Sequence, residues 1–327
     1  MNWHDLSVLV TGGTGSFGRK FVEVVLRELG PKKLIILSRD ELKQHEMRQR
    51  FPDRGDSPSR YFIGDVRDRE RLYRAFQGVD VVVHAAALKQ VPACEYNPFE
   101  AILTNIMGAK NVIDAAIDCG VKRVLTLSTD KAVNPINLYG ATKLCAEKLF
   151  VDGNAYAGAR ATRFSCARYG NVVASRGSVI PILLEQRHNG RITLTDPRMT
   201  RFWITLDQGV RFVIQCIEEM EGGEIFVPKI PSTTLLDLSR ALAPGCEVDV
   251  IGVRPGEKIH EVLLSEDEAQ HAVELDHMFV ILPLDGGHAA ERWSGGRSLP
   301  PGFRYASDSN PLQLAPEALT ELLGPLA

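Results

Sequence analysis

SVLVTGGTGSFG, residues 7–18, is the stretch on which the fold turns. Ser7 to Val10 is a short apolar run, suited to a parallel strand buried on both faces. The run breaks at Gly12, Gly15 and Gly18, spaced GxxGxxG, and continues as an amphipathic pattern to about Leu29. Glycines there permit a tight turn and let a pyrophosphate approach the backbone N–H groups at a helix N-terminus. A Gly-rich turn between strand and helix is common, so the motif gains weight only from the rest of the chain. Strand patterns recur at Leu34–Leu37, Arg60–Ile63, Val79–His84, Val121–Leu127 and Ala161–Ala167, with helical patterns between them. The alternation lasts to about residue 170 and predicts the α/β class, a doubly wound parallel sheet.

From Asn171 the rhythm changes to short segments divided by turn chemistry, interrupted by one helical stretch from about Thr205 to Met220. Residues 1–170 with about 204–222 therefore read as a dinucleotide-binding domain. Residues 171–203 with about 223–327 read as a smaller, discontinuous substrate-binding domain, its Leu284–Arg304 stretch irregular. The 327 residues suffice for two such units, and 44% hydrophobic with 24% charged residues is an ordinary globular balance. A net charge of -3 gives no sign of nucleic acid or an anionic membrane as partner. Six cysteines (Cys94, Cys119, Cys145, Cys166, Cys216, Cys246) are widely spaced without a CxxC. That spacing argues against a metal site or a disulfide framework and suits the cytoplasm. Neither a signal peptide nor a membrane-spanning run is expected.

The chemistry gathers in LTLSTDKAVNPINLYGATKLCAEK, residues 125–148. Tyr139 and Lys143 are four apart, hence on one helix face, and an ammonium beside a phenol favours the phenolate. Asp130 and Lys131 stand at the carboxyl end of a strand, the edge where open α/β sheets bind ligands. Twenty residues after Gly18, where an acidic group would meet the ribose of NAD, stand Ser38 and Arg39. A hydroxyl and a guanidinium suit a 2′-phosphate, so NADP is favoured over NAD, with Lys43 assisting and Asp40 free to point elsewhere. Asp65 can accept from the adenine amino group while Val66 packs on the ring. Ala85, Ala86 and Ala87 let a flat cofactor approach, and Lys89 beyond them can reach a substrate phosphate or hydroxyl. His84 ends an apolar strand and reads as a core histidine. Arg201, Lys229, Arg254 and Lys258 lie near Gly and Pro bends, as clamps for a diphosphate would.

GxxGxxG, the strand-end Asp65-Val66, HAAA and Tyr139-x-x-x-Lys143 together resemble the extended short-chain dehydrogenase/reductase family of nucleotide-sugar enzymes, with their Rossmann fold. The stretches TGGTGSFG, SRDELKQHEM, HAAALKQVPACEYNP, STDKAVNPINLYGATK, RYGNV, DPRMTRFWIT, FVPKIPS and IGVRPGEKIHE are similar to one subgroup. This subgroup is the inverting UDP-N-acetylglucosamine 4,6-dehydratases, which begin pseudaminic acid synthesis for flagellin glycosylation. The chain looks like their short soluble form, without the membrane helices of larger members, and about Glu266 to Arg304 departs from the pattern.

The resemblance implies a tightly bound NADP recycled each turnover, held by Gly12, Thr14, Gly15, Ser16, Phe17, Gly18, Ser38, Arg39, Lys43, Asp65, Val66, Ala85, Ala86, Tyr139, Lys143 and Val172. It implies UDP-N-acetylglucosamine held by Lys89, Asn171, Ser178, Val179, Arg201, Arg254 and Glu257, and a homo-oligomer, hexameric in relatives. Tyr139, depressed by Lys143 and the oxidised nicotinamide, would take the C4 hydroxyl proton, with Thr129 bonded to the C4 oxygen. Lys131 would take the C5 proton, and Asp130, raised by desolvation, would protonate the leaving C6 hydroxyl. Retaining relatives carry Asp-Glu where this chain has Asp130-Lys131, so the lysine goes with inversion at C5. Three other readings compete: a UDP-HexNAc 4-epimerase, a retaining 4,6-dehydratase, and a non-catalytic NADP-binding regulator.

Overall fold

The computed structural model describes residues 1–173, 178–284 and 287–323. In chain order the first half runs β1 (Ser7–Thr11), α1 (Ser16–Val24), β2 (Lys33–Ser38), α2 (Glu41–Arg50), β3 (Ser59–Ile63), α3 (Arg69–Phe76) and β4 (Val81–His84). It continues with α4 (Val91–Tyr96), α5 (Pro98–Ile102), α6 (Gly108–Cys119), β5 (Arg123–Thr129), α7 (Leu138–Ala157) and β6 (Arg163–Tyr169). Next come β7 (Asn171–Val172), α8 (Val179–Arg187), β8 (Arg191–Leu194), β9 (Thr200–Ile204), α9 (Leu206–Glu219), β10 (Ile225–Pro228) and β11 (Ser232–Thr234). The remainder is α10 (Leu235–Leu242), β12 (Glu247–Val250), β13 (Val262–Leu264), α11 (Glu266–Ala269), β14 (Ala272–Glu274), β15 (Met278–Ile281), α12 (Gly287–Arg292), β16 (Arg297–Ser298), β17 (Tyr305–Ala306) and α13 (Pro316–Leu323).

Ten strands form one sheet in the order β16-β14-β15-β10-β6-β5-β4-β1-β2-β3. From β10 to β3 every pairing is parallel, as the early alternation of strand and helix predicts. All five residues of β1 are buried, which is why its sequence does not alternate. Each aliphatic side chain so covered contributes about 1.5–3 kcal/mol. The order reverses between β1 and β4, and the crevice outside their carboxyl ends is where such sheets bind ligands.

The sheet is wider than the expected domain division allows. β10 joins β6 in parallel, and β15, β14 and β16 extend that edge antiparallel, so parts of 223–327 belong to the central sheet. IFVP of β10 is buried at every position, a central-strand signature hidden in sequence by the EGGE and KIPS turns flanking it. Nor is Leu284–Arg304 wholly irregular, since it supplies α12 and β16. A separate apolar core gathers Val173, just after β7, with Ile180, Leu183, Trp203, Leu238 and Leu319 from α8, β9, α10 and α13.

α9 returns to the first core. Thr205 and Gln208 close its start as a capping box, and Arg211 meets Glu28 on the α1 side at 2.9 Å. Between α5 and α6 the helix widens into one π turn, Leu103–Met107, which admits an extra residue. Among the described residues no helix is long and apolar enough to cross a membrane.

Candidate active site

The Gly-rich turn leaves space that a side chain would fill. Gly12 has φ +65, and a Cβ there would lie 2.9 Å from the Ala86 backbone. At Gly18 a Cβ would approach Gly13 to 2.5 Å, so helix and turn pack backbone to backbone. Gly15 caps α1 without a side-chain acceptor, leaving the amides from Ser16 onward open to an anion. Phe17 stacks on Phe21, ring centroids 5.9 Å apart. Thr11 Oγ1 accepts from the N–H groups of Ala85 and Ala86 at 3.2 Å each, drawing the alanine strand end against the turn. These features form a cradle for a dinucleotide pyrophosphate.

At the end of β2, Thr14 and Ser38 join hydroxyls at 2.7 Å. Asp40 caps α2 by accepting from Lys43 N–H at 3.0 Å, and the Lys43 ammonium pairs with the same carboxylate. Arg39 is left exposed at the strand end, with Asp65 at 3.5 Å. Two sequence expectations are altered here. Asp65 already receives Arg67 Nε at 3.0 Å and Nη2 at 2.7 Å, and burial of Val66 against the Gly108 backbone leaves it 4% exposed, with little surface for a ring.

β5 delivers the catalytic candidates. Beyond Thr129 the chain makes a single 3-10 turn, Asp130–Ala132. Thr129 Oγ1 donates to Asp130 Oδ1 at 2.8 Å, and Lys131 Nζ donates to the same oxygen at 3.0 Å. Asp130 is wholly buried, and its Oδ2 has no hydrogen-bond partner among the described residues. Asn171, at the start of β7, accepts from Lys131 Nζ at 3.4 Å. α7 begins directly above this turn: Asn137 caps it by accepting from Gly140 N–H at 2.8 Å. Gly140 is required because any Cβ there would strike the Lys131 carbonyl oxygen. Asn105, on the π turn, accepts from Leu88 N–H at 2.8 Å and donates to Leu88 O at 2.9 Å and Thr142 Oγ1 at 3.0 Å. It thus locks the loop after β4 onto the helix of Tyr139 and Lys143.

Electrostatics correct the expected tuning. Burial pushes the Tyr139 phenol up to about 12, against a lowering by Lys131 and a Thr129 hydrogen bond. The depression expected from Lys143 is therefore not supplied by the protein alone, because desolvation wins. Lys143 is itself buried and held below the usual lysine range by burial, partly offset by Glu147. For Lys131, burial opposes the charge, but Asp130 and Glu261 outweigh it and hold its pKa above the usual lysine value. The expected C5 base is thus an ammonium in this structure. His84 is the core histidine anticipated: burial, then Lys143, lowers it to about 3, and its Nδ1 bonds Thr11 Oγ1 at 2.9 Å.

The expected substrate residues divide. Lys89 faces the site, its pKa lowered by burial and by Lys131. Arg201 is buried and committed to the backbone oxygens of Thr200 at 2.7 Å, Lys258 at 2.9 Å and Ile259 at 3.1 Å. It braces a loop more than it offers a free clamp. Lys258 donates to Val133 O at 2.5 Å. Exposed Arg254 has Glu257 at 4.0 Å, and Glu257 Oε2 is buried without a partner among the described residues. Ser178 and Val179 open α8, and the Ser178 hydroxyl is likewise buried and unpartnered among the described residues. Half-buried Val172 lies on β7 beside Ile204. Lys229 is spent elsewhere, on Glu274 at 2.7 Å and over the Phe279 ring. Sequence reading missed Glu261, 2% exposed and 3.4 Å from Lys131. The acid is visible in EKIHE, but no spacing ties it to residue 131. Among the described residues no group of three or more His, Cys, Asp or Glu could hold a metal.

Comparison with known proteins agrees with this geometry. The profile of the family described as polysaccharide biosynthesis protein matches residues 8–283. The chain is 50% identical to UDP-N-acetylglucosamine 4,6-dehydratase (inverting) of Campylobacter jejuni subsp. jejuni serotype O:2, over 97% of each chain. It is 42% identical to UDP-glucose 4-epimerase of Rickettsia canadensis, over 86% of this chain and 84% of that one. Of solved structures, Pen from Bacillus thuringiensis matches with a TM-score of 0.89 at 39% identity, over 99% of this chain and 98% of that one. With a doubly wound sheet, a strand-end Asp130-Lys131 and a Tyr139/Lys143 helix in place, the chain belongs to the polysaccharide biosynthesis protein family.

Proposed function

We propose that the protein is an inverting UDP-N-acetylglucosamine 4,6-dehydratase that forms a UDP-2-acetamido-2,6-dideoxy-4-hexulose. The observation that carries this reading is the pairing of Lys131 with Asp130 at 3.0 Å beneath the helix of Tyr139. A nicotinamide cofactor fits the cradle of Gly12, Gly15 and Gly18, and when bound it supplies a hydride acceptor that is regenerated within each turnover. Tyr139 takes the C4 hydroxyl proton, and Lys143 lies a turn further along the same helix. Elimination across C5–C6 then needs one base and one acid. Transfer of a proton from the Lys131 ammonium to the Asp130 carboxylate creates both, a neutral amine and a carboxylic acid. The amine accepts the C5 proton, the acid protonates the departing C6 hydroxyl as water, and the pair returns to its ionic form. The proton count of the elimination closes on this pair. With the hydride returned to C6, a proton delivered to C5 from the opposite face completes the product and offsets the one that Tyr139 took from C4.

Incubation with UDP-N-acetylglucosamine in deuterated water tests this by NMR. The expected product has a methyl at C6, a ketone at C4, solvent deuterium at C5 and inverted C5 configuration. A sugar unchanged, or altered only at C4, sinks the proposal. The second reading, a UDP-hexose 4-epimerase, is favoured by the likeness to the Rickettsia canadensis protein. An epimerase needs Tyr139 and Lys143 but no elimination pair, so Asp130→Asn and Lys131→Ala would leave it partly active while abolishing a dehydratase.

For the cofactor we favour NADP, supported by the exposed Arg39 guanidinium at the end of β2 and by the engagement of Asp40 as a helix cap. Arg39→Asp is expected to weaken NADPH binding by about 10- to 100-fold, the loss of one charge-assisted contact, while NADH binding holds or improves. Titration by nicotinamide fluorescence measures the ratio, and an unchanged preference rules the assignment out. Pseudaminic acid synthesis, flagellin glycosylation, a cytoplasmic location and homo-oligomeric assembly belong to the same reading and rest on the resemblance alone.

A further inference from the structure

Glu261 stands just before β13, and its backbone is held from both sides by Ser307. Its N–H donates to Ser307 Oγ at 2.9 Å, and the Ser307 N–H donates to Glu261 O at 2.8 Å. Ser307 is fixed in turn by the Thr200 hydroxyl at 2.6 Å. From this anchored position the carboxylate faces Lys131 Nζ at 3.4 Å, Arg201 Nε at 3.8 Å and Lys258 Nζ at 4.0 Å. Arg201 and Lys258 both donate to backbone carbonyls as well. Glu261 Oε2 is buried with no hydrogen-bond partner among the described residues. A buried carboxylate is costly unless compensated, and here compensation comes from nearby charge more than from hydrogen bonds. Such an arrangement suits tuning of a neighbour better than anchoring of the chain.

The groups around Lys131 come from every element packed against it. Asp130 lies on its own turn, Glu261 before β13, Arg201 on β9, Lys258 on the preceding loop, Lys89 after β4, and Tyr139 on α7. Without Glu261 the lysine would face one carboxylate and three cations. The proton cycle between Lys131 and Asp130 requires the lysine to part with its proton before it can act as a base.

We propose that Glu261 is a positioning residue for Lys131. It holds the ammonium against Asp130 in the resting enzyme and so fixes the pH at which Lys131 passes its proton on. The inference rests on the dehydratase reading for its consequence in turnover, though not for the coupling itself.

The test uses the full chain loaded with NADP. Lysine labelled at Cε is followed by carbon NMR, the Lys131 signal being identified by its loss in Lys131→Arg. In Glu261→Gln the Lys131 titration midpoint is expected about one pH unit or more lower than in the unmodified protein, and the alkaline limb of the kcat profile, where the pair loses the proton that the cycle needs, moves down with it. Glu261→Asp, which keeps the charge but withdraws it by one carbon, gives a smaller shift in the same direction and serves alone if the glutamine variant does not fold. An unchanged midpoint in a folded variant overturns the proposal. If the unmodified protein leaves UDP-N-acetylglucosamine untouched, the dehydratase reading fails while the NMR arm still decides the coupling.

Discussion

Exchange of Tyr139 for phenylalanine is expected to leave a folded, cofactor-binding protein whose kcat is lower by about 10³-fold. Only one oxygen is lost, from a ring 9% exposed and packed with Cys94 and Ala101, so the change opens no cavity. In the proposed mechanism that oxygen is the base for the C4 hydroxyl, and without it oxidation of C4 has no proton acceptor in place. The sign of the pH dependence follows from the same group. Burial holds the phenol up at about 12, so the phenolate is the minor form at neutral pH. Below that value its share rises about tenfold for each unit by which pH increases, and turnover of the unmodified enzyme climbs from acid toward mildly alkaline pH. Steady-state kinetics with circular dichroism as the folding control checks both points. A variant within tenfold of the parent would remove Tyr139 from the mechanism.

The largest effect on stability is expected at Arg168, whose guanidinium is fully buried. It donates to Glu147 at 2.9 and 2.7 Å, to Glu268 at 3.0 and 2.8 Å, and to Leu263 O at 2.9 Å. Arg168→Met fills similar volume but strands Glu147, 1% exposed, as an uncompensated buried carboxylate. Breaking a buried pair in this way costs about 3–5 kcal/mol, which urea denaturation would report as a lower midpoint at an unchanged slope. Burial pushes Glu268 up, but Arg168 outweighs it and holds that carboxyl below the usual range. A depressed carboxyl contributes stability above its unfolded pKa and loses it as pH falls through the folded value. The deficit of Arg168→Met therefore narrows in acid. A variant as stable as the parent at neutral pH would show the guanidinium to be dispensable.

Local pattern carried most of what was legible in the sequence. Buried strands as apolar runs, glycines at a helix start and Tyr139 four residues before Lys143 are all properties of neighbours along the chain. The core role of His84 was legible for the same reason. Long-range contact carried the rest. Glu261 meets Lys131 across 130 residues and Glu268 meets Arg168 across 100, and neither pairing leaves a mark in spacing. β14 and the edge strand β16 are short and set among turns, so their membership of the central sheet follows only from what they pair with. The tuning of Tyr139 misled for a related reason. Helical spacing puts Lys143 on the same helix face, yet says nothing of the desolvation or of the Lys131 charge that the other elements impose on the phenol.

The wide turn at Leu103–Met107 bears on how this chain could be shortened. A regular helix would need one residue fewer there, and its hydrogen bonds would improve. Each residue removed, however, rotates one part of a helix against the other by about 100°. Asn105 would then swing away from Leu88 and Thr142, and the loop after β4 would lose its hold on the helix of Tyr139. A single-codon deletion in this segment would produce the straighter helix and the poorer catalyst, so a selection for thermal tolerance and a selection for turnover would pull its length in opposite directions.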